Sequence, residues 1–279
     1  MAAMFIAALC ISSCDHNNGE GGNGGGGNGG GSNHEYPATA DVIPKAVKDI
    51  DGNWYDAVRI GNQIWMAENL KTTRYADGTT IPLNEGGSLT EPCRYYPDGS
   101  ENSVQDYGYL YNWPAVMHGA ESSETNPSGV QGICPKGWHV PSHAEWVQLR
   151  TYCKSTNEYT CNDNNENIAK ALAADHDWEA CIETSIIECR IGYNLSANNA
   201  TGFSALPAGF VHPSYGTDFN DEFGSATYFW STSTCPMTTG SGIPVYDDAW
   251  ILYLSSCDTY ITIDAMEKDR GISVRCVKD

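Results

Sequence analysis

Basic residues are scarce in this chain, and their scarcity excludes one class of partner. Only 15 of the 279 residues are Lys or Arg, against 35 Asp and Glu, which gives a formal net charge of -20 at pH 7. A surface field of that sign repels phosphate backbones. We therefore exclude nucleic acid as a partner and interpret the acidity as a solvated surface.

Several motifs of catalytic, redox and membrane-spanning proteins are also missing. No Gly-x-Ser-x-Gly elbow is present, and nothing beyond the first residues is long and apolar enough to enter a bilayer. No Cys-x-x-Cys pair occurs after residue 14, which argues against a zinc ribbon or a thioredoxin-type redox site. The nine cysteines of that part of the chain are Cys93, Cys134, Cys153, Cys161, Cys181, Cys189, Cys235, Cys257 and Cys276.

At its start the chain carries a short apolar run that ends in Ile11-Ser12-Ser13-Cys14. A run of that length is too short to span a hydrocarbon core, which needs roughly 20 apolar residues. A branched apolar residue three positions before a cysteine, followed by small residues, is typical of a lipoprotein signal. We predict that residues 1–14 are a lipoprotein signal peptide with its lipobox and that Cys14 is lipidated; an ordinary signal peptide is the alternative.

Glycine dominates the segment that follows. Ten of the fourteen residues 19–32 are Gly, and such a composition cannot bury enough apolar surface to fold. We predict that residues 15–37 are a flexible tether and that residues 38–279 form one domain. A lipid at Cys14 would place this domain at the cell envelope as an outer-membrane lipoprotein, surface-exposed, with the membrane as a partner through the anchor.

Alternating and helical patterns predict the first elements of the domain. Residues 55–60 and 63–66 alternate about Gly61-Asn62, which predicts a hairpin. Ser142, three residues before Glu145, predicts a capped helix start, and residues 167–174 predict a second, short helix. Residues 107–113 and several short apolar runs after residue 202 predict strands. Two helices with many short strands and long loops indicate an α+β fold.

An exported chain with so many cysteines implies disulfides, because the periplasm and the cell surface are oxidising. Proximity in sequence favours three pairs, and Cys93 is left over. Other pairings stay open, since spacing alone does not determine connectivity. The favoured pairs are Cys153 with Cys161, Cys181 with Cys189, and Cys235 with Cys257.

Six ordered blocks of the sequence resemble the Fibrobacter succinogenes major paralogous domain family, over about residues 49–279. The blocks are Asp51 to Leu70, Tyr107 to Trp113, Cys134 to Trp146, Phe203 to Gly209, Phe229 to Thr232 and Gly271 to Lys278. The resemblance implies a C-type lectin-like fold, with two helices beside a looped, mostly antiparallel sheet. It also implies a disulfide between Cys134 and Cys276, and it implies no established activity.

Metal sites are weighed against this resemblance. The calcium motif of sugar-binding lectins is absent, because the strand of Trp230 continues with Ser231-Thr232 instead of Asn-Asp. We therefore predict that the protein has no metal site and no cofactor, and we keep calcium as the one alternative. The weak candidates for a calcium site are Asp218, Asn220, Asp221 and Glu222, a cluster of hard oxygen ligands. For His139, His143 and Glu145 a structural role is favoured over metal binding.

Aromatic residues carry the prediction of a ligand surface. Six Trp residues lie in the family-like blocks, where burial in the core is expected: Trp54, Trp65, Trp113, Trp138, Trp146 and Trp230. The predicted ligand surface lies instead on the long-loop segment between His212 and Trp250. It consists of Tyr215, Asp218, Tyr246, Asp247, Asp248 and Trp250.

Three functions remain in order of preference. The first is non-catalytic recognition of a glycan or another cell-surface component, such as a surface protein. The second is a structural or assembly role in a surface appendage or envelope complex. The third is an enzyme of the formylglycine-generating type, whose broader fold is related but whose active-site pattern is not found. We expect a binding protein and not an enzyme.

Overall fold

A computed structural model describes residues 36–83, 88–181, 188–213, 220–238 and 244–279, within the compact unit His34–Asp279. The fold is α+β. Its helices are α1 Val104–Tyr107, α2 Trp113–Met117, α3 His143–Ser155 and α4 Ala169–Leu172. Its strands are β1 Asp41–Lys48, β2 Trp54–Ile60, β3 Gln63–Met66, β4 Arg94–Tyr95, β5 Leu110–Tyr111, β6 Trp138–His139, β7 Phe210–Val211, β8 Asn220–Asp221, β9 Ala226–Thr238, β10 Pro244–Ser255, β11 Thr262–Glu267 and β12 Val277–Lys278.

The predicted hairpin is confirmed and forms the middle of an antiparallel sheet of order β1-β2-β3-β12-β6. Strands β2 and β3 turn at Gly61, with Ile60 paired to Gln63. Gly61 has a φ of +62°, and a Cβ built on it would lie 2.8 Å from the ring of Tyr152. Glycine is therefore required there by both backbone and space.

A second antiparallel sheet, of order β11-β10-β9, lies between two halves of the core. Trp230 and Ile251 of this sheet pack with Tyr55 and Val274 on one side. Phe229 and its neighbours pack on the other side with the core face of α3. Because both faces of the sheet are covered where β9 and β10 meet, residues 228–230 and 251–254 are apolar runs without a clean alternation.

Helix α3 begins as the sequence predicts. The Ser142 hydroxyl accepts a hydrogen bond from the Glu145 amide at 3.2 Å, and a Glu145 carboxylate oxygen accepts one from the Ser142 amide at 2.9 Å, which is a complete capping box. Trp146 is buried on the inner face and stacks on Trp65 with ring centroids 4.4 Å apart. In the described part of the chain, no helix is long and apolar enough to cross a membrane.

Two predicted elements are shorter than expected. The strand expected over residues 107–113 is only Leu110–Tyr111, because the Asn112 side chain caps α2 by accepting a hydrogen bond from the Ala115 amide at 3.1 Å. The helix expected over residues 167–174 is the single turn α4. Side-chain caps and long-range contacts thus end elements that apolar patterns alone extend.

Three disulfides cross-link the domain. The bond between Cys134 and Cys276, implied by the family resemblance, is present and closes a loop with a sequence separation of 142 residues. In the chain-entropy account, a loop of that length stabilises the fold by about 4 to 5 kcal/mol. The other two bonds join Cys161 to Cys189 and Cys181 to Cys257.

The three pairs favoured by sequence proximity are therefore wrong. Cys153 lies on the inner face of α3 and is fully buried in the core, so it cannot reach Cys161 in the polar loop that follows. Burial raises the pKa of its thiol to about 12. Cys161 and Cys181 instead pair with cysteines that the fold brings beside them, and Cys235 is a buried thiol on β9.

Arg275 is a fully buried cation between the two sheets. Its guanidinium donates to the Asn69 side chain at 2.7 Å and to the carbonyls of Met66 at 2.9 Å, Phe203 at 2.6 Å and Ser204 at 2.8 Å. It also lies over the ring of Phe203, 4.7 Å from the centroid. Burial lowers the pKa of this group to about 9, and the carbonyl dipoles stabilise its charged form.

We expect Arg275→Met to destabilise the domain by about 3 to 5 kcal/mol, because four acceptors lose their donor in a dry interior. Urea unfolding under non-reducing conditions measures this. Arg59→Met is the matched control: Arg59 forms an exposed pair with Asp41 at 3.2 Å, so its loss should change the unfolding free energy by less than about 1 kcal/mol. Equal effects of the two substitutions would contradict the role given to Arg275.

Candidate functional site

The predicted long-loop ligand surface is only partly described by the structure. Tyr215 and Asp218 lie outside the described residues. Tyr246 and Asp247 lie on β10, where the backbone alone is described. Asp248 and Trp250 follow on the same strand and are partly exposed.

Trp250 lies beside the start of α3. Its ring contacts that of His143, with centroids 4.7 Å apart. Asp248 and Trp250 of β10 are paired with Glu267 and Ala265 of β11, respectively. The structure thus brings Trp250 to the helix start, and the ligand surface as a whole stays a prediction.

The candidate calcium cluster does not gather in the part of the chain that the structure describes. Asp218 is outside that part, and Asn220 and Asp221 form β8, opposite Val211 and Phe210. A Glu222 carboxylate oxygen accepts a hydrogen bond from the Tyr228 hydroxyl. Among the described residues, no group of three or more His, Cys, Asp and Glu side chains could hold a metal ion.

His139 and Glu145 are hydrogen-bonded to each other in the interior, and so they have a structural role. One ring nitrogen of the buried His139 lies 2.7 Å from a Glu145 carboxylate oxygen, and the other lies 2.7 Å from Asp279. The second Glu145 oxygen accepts from the Ser128 amide at 3.1 Å. Burial alone would lower the pKa of His139, but hydrogen bonds and charge from Glu145, then from Asp279, raise it above its usual range.

An open cleft of about 270 Å³ lies where the β1–β2 turn meets two loops. We call it the hairpin cleft. Residues 48–50, residues 133–136 and three residues of the loop after β3 line it: Thr72, Arg74 and Ala76. It therefore combines apolar wall, hydroxyl and cationic side chains, as ligand sites commonly do.

Internal hydrogen bonds fix the turn that forms this cleft. The Asp49 carboxylate accepts from the Asn53 amide at 2.9 Å and from the Tyr55 hydroxyl at 2.7 Å. Asp51 bonds the next loop, with Arg74 Nε 2.6 Å from its carboxylate and the Thr73 hydroxyl at 2.9 Å. Burial alone would raise the pKa of Asp51, but the hydrogen bonds from Thr73, Arg74 and Thr72 together lower it. The turn and the loop after β3 are thus joined by charged hydrogen bonds.

Trp54 is the exposed aromatic beside the hairpin cleft. It pairs with Lys48 across β1 and β2, and the Lys48 Nζ lies 5.5 Å from its ring centroid. Its exposed fraction is 48%, and that of Ile50, which lines the cleft, is 42%. Of the six Trp residues expected in the core, Trp65, Trp138, Trp146 and Trp230 are buried, Trp113 is half-buried, and the prediction for Trp54 is wrong.

A second cleft of about 560 Å³ adjoins the first and shares Ala76 and Lys136 with it. We call it the adjacent cleft. Its aromatic wall is the stacked pair of Tyr75 and His118, with ring centroids 3.6 Å apart, and His118 Nε2 lies 3.3 Å from Asp77. Lys136 thus belongs to the walls of both clefts.

Comparison with known protein families identifies the family of this chain. Residues 58–278 match the family described as the Fibrobacter succinogenes major domain. The chain belongs to this family. No curated protein and no solved structure matches it at a significant level.

The hairpin cleft combines parts of the family domain with residues that precede the match. Its two loops lie within the Fibrobacter succinogenes major domain, whereas the lining residues Lys48 and Ile50, and Trp54 beside Lys48, lie before residue 58. Sequence reasoning missed these three residues, because it assigned Trp54 to the core and gave Lys48 and Ile50 no role. The available signal was Asp51-Gly52, a turn dipeptide whose hairpin sets Lys48 opposite Trp54.

The His139–Glu145 contact predicts a pH dependence of stability. Because the pKa of His139 is raised on folding, its contribution is fully present below about pH 6.5 and is lost as the pH rises through the folded value. We expect the unfolding free energy lost in His139→Gln to be about 1 to 3 kcal/mol larger at pH 5.5 than at pH 9. Urea unfolding at both values measures it.

Asp279→Asn is the partial control for this pH experiment. The Asp279 side chain is 60% exposed, whereas Glu145 is buried, so its removal should produce the same trend with a smaller amplitude. An unchanged difference between wild type and His139→Gln at the two pH values would contradict the assignment.

Proposed function

We propose that this protein is a non-catalytic binding protein, held at the outer membrane by a lipid on Cys14, that recognises glycans in the hairpin cleft. The observation that carries the proposal is an exposed tryptophan beside an open cleft on a hydrogen-bonded turn. Sugar rings present C–H faces that stack on exposed aromatic rings, and polar side chains around the ring supply specificity. Membership in the family leaves activity open.

The proposed lectin-like fold agrees with several features. Strand β12, near the end of the chain, lies between β3 and β6 in one sheet, so early and late segments of the domain are neighbours. The disulfide from Cys134 to Cys276 ties the segment before α3 to the last strand. We propose on this basis that the α+β domain has the C-type lectin-like arrangement.

The absence of catalysis is part of the proposal. Formylglycine-generating chemistry depends on an accessible active-site cysteine. In the described part of the chain, the thiols of Cys93, Cys153 and Cys235 are all buried, and that of Cys93 lies 3.0 Å from the Tyr95 hydroxyl. Buried thiols in apolar surroundings are poor nucleophiles, because their thiolate forms are disfavoured.

Trp54→Ala tests glycan recognition. We expect the chain from residue 15 to bind a related set of sugars on a glycan array, and Trp54→Ala to weaken that binding at least about tenfold, equivalent to about 1.4 kcal/mol. The reason is the loss of the exposed ring that stacks on the sugar. Titration of the best array ligand, followed by calorimetry, measures the change.

Tyr260→Ala is the matched control for Trp54→Ala. Tyr260 is 50% exposed. Trp54 pairs with Lys48, which lines the hairpin cleft, whereas Tyr260 neither lines a cleft nor pairs with a residue that does, so its loss should leave binding unchanged. Binding that survives Trp54→Ala would contradict the site. An array without any bound glycan would contradict the function and favour the structural or assembly role.

The lipid anchor has its own test. We expect Cys14→Ser to move the full chain from the detergent phase to the aqueous phase of a Triton X-114 partition and to abolish labelling by a radioactive fatty acid. Each buried acyl CH₂ contributes about 0.8 kcal/mol to membrane binding, so loss of the acyl chains releases the protein. Cys10→Ser, four residues earlier in the apolar run, is the control and should keep its label. A labelled Cys14→Ser chain would rule out lipidation at Cys14.

A further inference from the structure

The hairpin cleft holds cations that the rest of the molecule does not use. Most described basic side chains have internal partners: exposed pairs join Arg59 to Asp41 and Lys154 to Glu166, and buried Lys170 donates to backbone carbonyls. Lys48 and Lys136 are exposed instead. In the part of the chain that the structure describes, no carboxylate lies within 4.0 Å of either ammonium.

The carboxylates of the β1–β2 turn are already engaged. Asp49 accepts hydrogen bonds from Asn53 and Tyr55, and Asp51 accepts from Arg74 and the Thr73 hydroxyl. Their lone pairs therefore point into the protein framework. The groups left to meet a ligand are the ammonium donors of Lys48 and Lys136, so the cleft offers cationic donors although the whole chain is acidic.

Both lysines are carried by supported backbone. Lys48 ends β1 and pairs with Trp54 on β2. Lys136 follows Cys134, whose disulfide to Cys276 joins this loop to the last strand. The two ammonium groups thus come from different segments that are each fixed in place, and an anionic group bound between them would require little reordering of the backbone.

From these observations we infer that the ligand of the hairpin cleft is an acidic oligosaccharide. Its anionic group, a carboxylate or a sulfate, would lie between Lys48 and Lys136, with the sugar ring against Ile50 and Trp54. This inference rests on the proposed glycan-binding function and narrows its ligand class. The adjacent cleft shares Lys136 and carries the Tyr75–His118 ring pair, so it offers room for a following sugar unit.

The net charge of the chain restricts the ligand further. A protein with a formal charge of -20 repels a densely charged polyanion over the whole of its surface. A sugar chain with isolated acidic units feels the two lysines at short range and less of that repulsion, because charges beyond a Debye length of about 8 to 10 Å are screened. The ligand is therefore sparsely charged.

The test compares one ligand with its own neutral form. The chain from residue 15 is titrated with uronic-acid oligosaccharides, with the same oligosaccharides after reduction of their carboxylates to alcohols, and with sulfated but otherwise neutral oligosaccharides. We expect the acidic ligands to bind at least about tenfold more tightly than the reduced ones. The uronic and sulfated arms show which anion the lysines prefer.

The matched variants separate local charge from net charge. Lys48→Gln with Lys136→Gln should lower the affinity for the acidic ligand to that of the reduced ligand, without a change in the melting temperature, since both side chains are exposed. Arg59→Gln with Lys154→Gln removes the same two charges from surface ion pairs outside the cleft and should leave the affinity unchanged.

Each remaining outcome decides between the two proposals. If wild type binds reduced and acidic ligands equally, or if the cleft double variant keeps its affinity, the charge inference is wrong, while binding that depends on Trp54 still supports glycan recognition. If no oligosaccharide of any arm binds, both the charge inference and the proposed function are overturned.

Discussion

The buried guanidinium of Arg275 is the interaction on which the rest of the domain depends. A cation in a dry interior is unfavourable unless its donors are satisfied. Here it donates to an Asn69 oxygen and to carbonyls at Met66, Phe203 and Ser204. Three of these residues, Asn69, Phe203 and Ser204, lie in loops, and Met66 is the last residue of β3. One side chain near the end of the sequence therefore holds two distant loops against the last strand, and the neighbouring Cys276 adds a covalent tie to the segment before α3.

The chain compensates for little regular structure by combining cross-links with aromatic packing. Apart from α3, the α-helices in the described residues are single turns, and several strands have only two residues. Such short elements contribute few ladder hydrogen bonds, so long-range contacts must position them. The stacked rings of Trp65 and Trp146 connect the first sheet to α3, and three disulfides restrict the loops. The loops are therefore held in place, and loops held by a rigid framework commonly carry binding residues.

The proposed site lies at the β1–β2 turn and not on the long-loop segment. The turn is stabilised from within, because Asp49 and Asp51 use their oxygens on the neighbouring backbone and side chains. That arrangement leaves Trp54, Lys48 and Lys136 directed to solvent beside one depression. Because a ligand would meet groups that are already placed, binding would require little ordering of the chain. Most of the cleft belongs to the family domain, and three of its ten lining residues, Lys48, Asp49 and Ile50, precede the family match.

The features that depend on neighbouring residues could be predicted from the sequence. The hairpin about Gly61, the capping box of Ser142 and Glu145, the α+β class and the family follow from short patterns whose physical causes are local. Three features arise only when the chain folds. They are the disulfide partners of Cys161 and Cys181, the exposure of Trp54, and the presence of Lys48 and Lys136 in one cleft. These features depend on which distant segments share a surface, and sequence spacing does not encode that because the chain folds back through long loops before the segments meet.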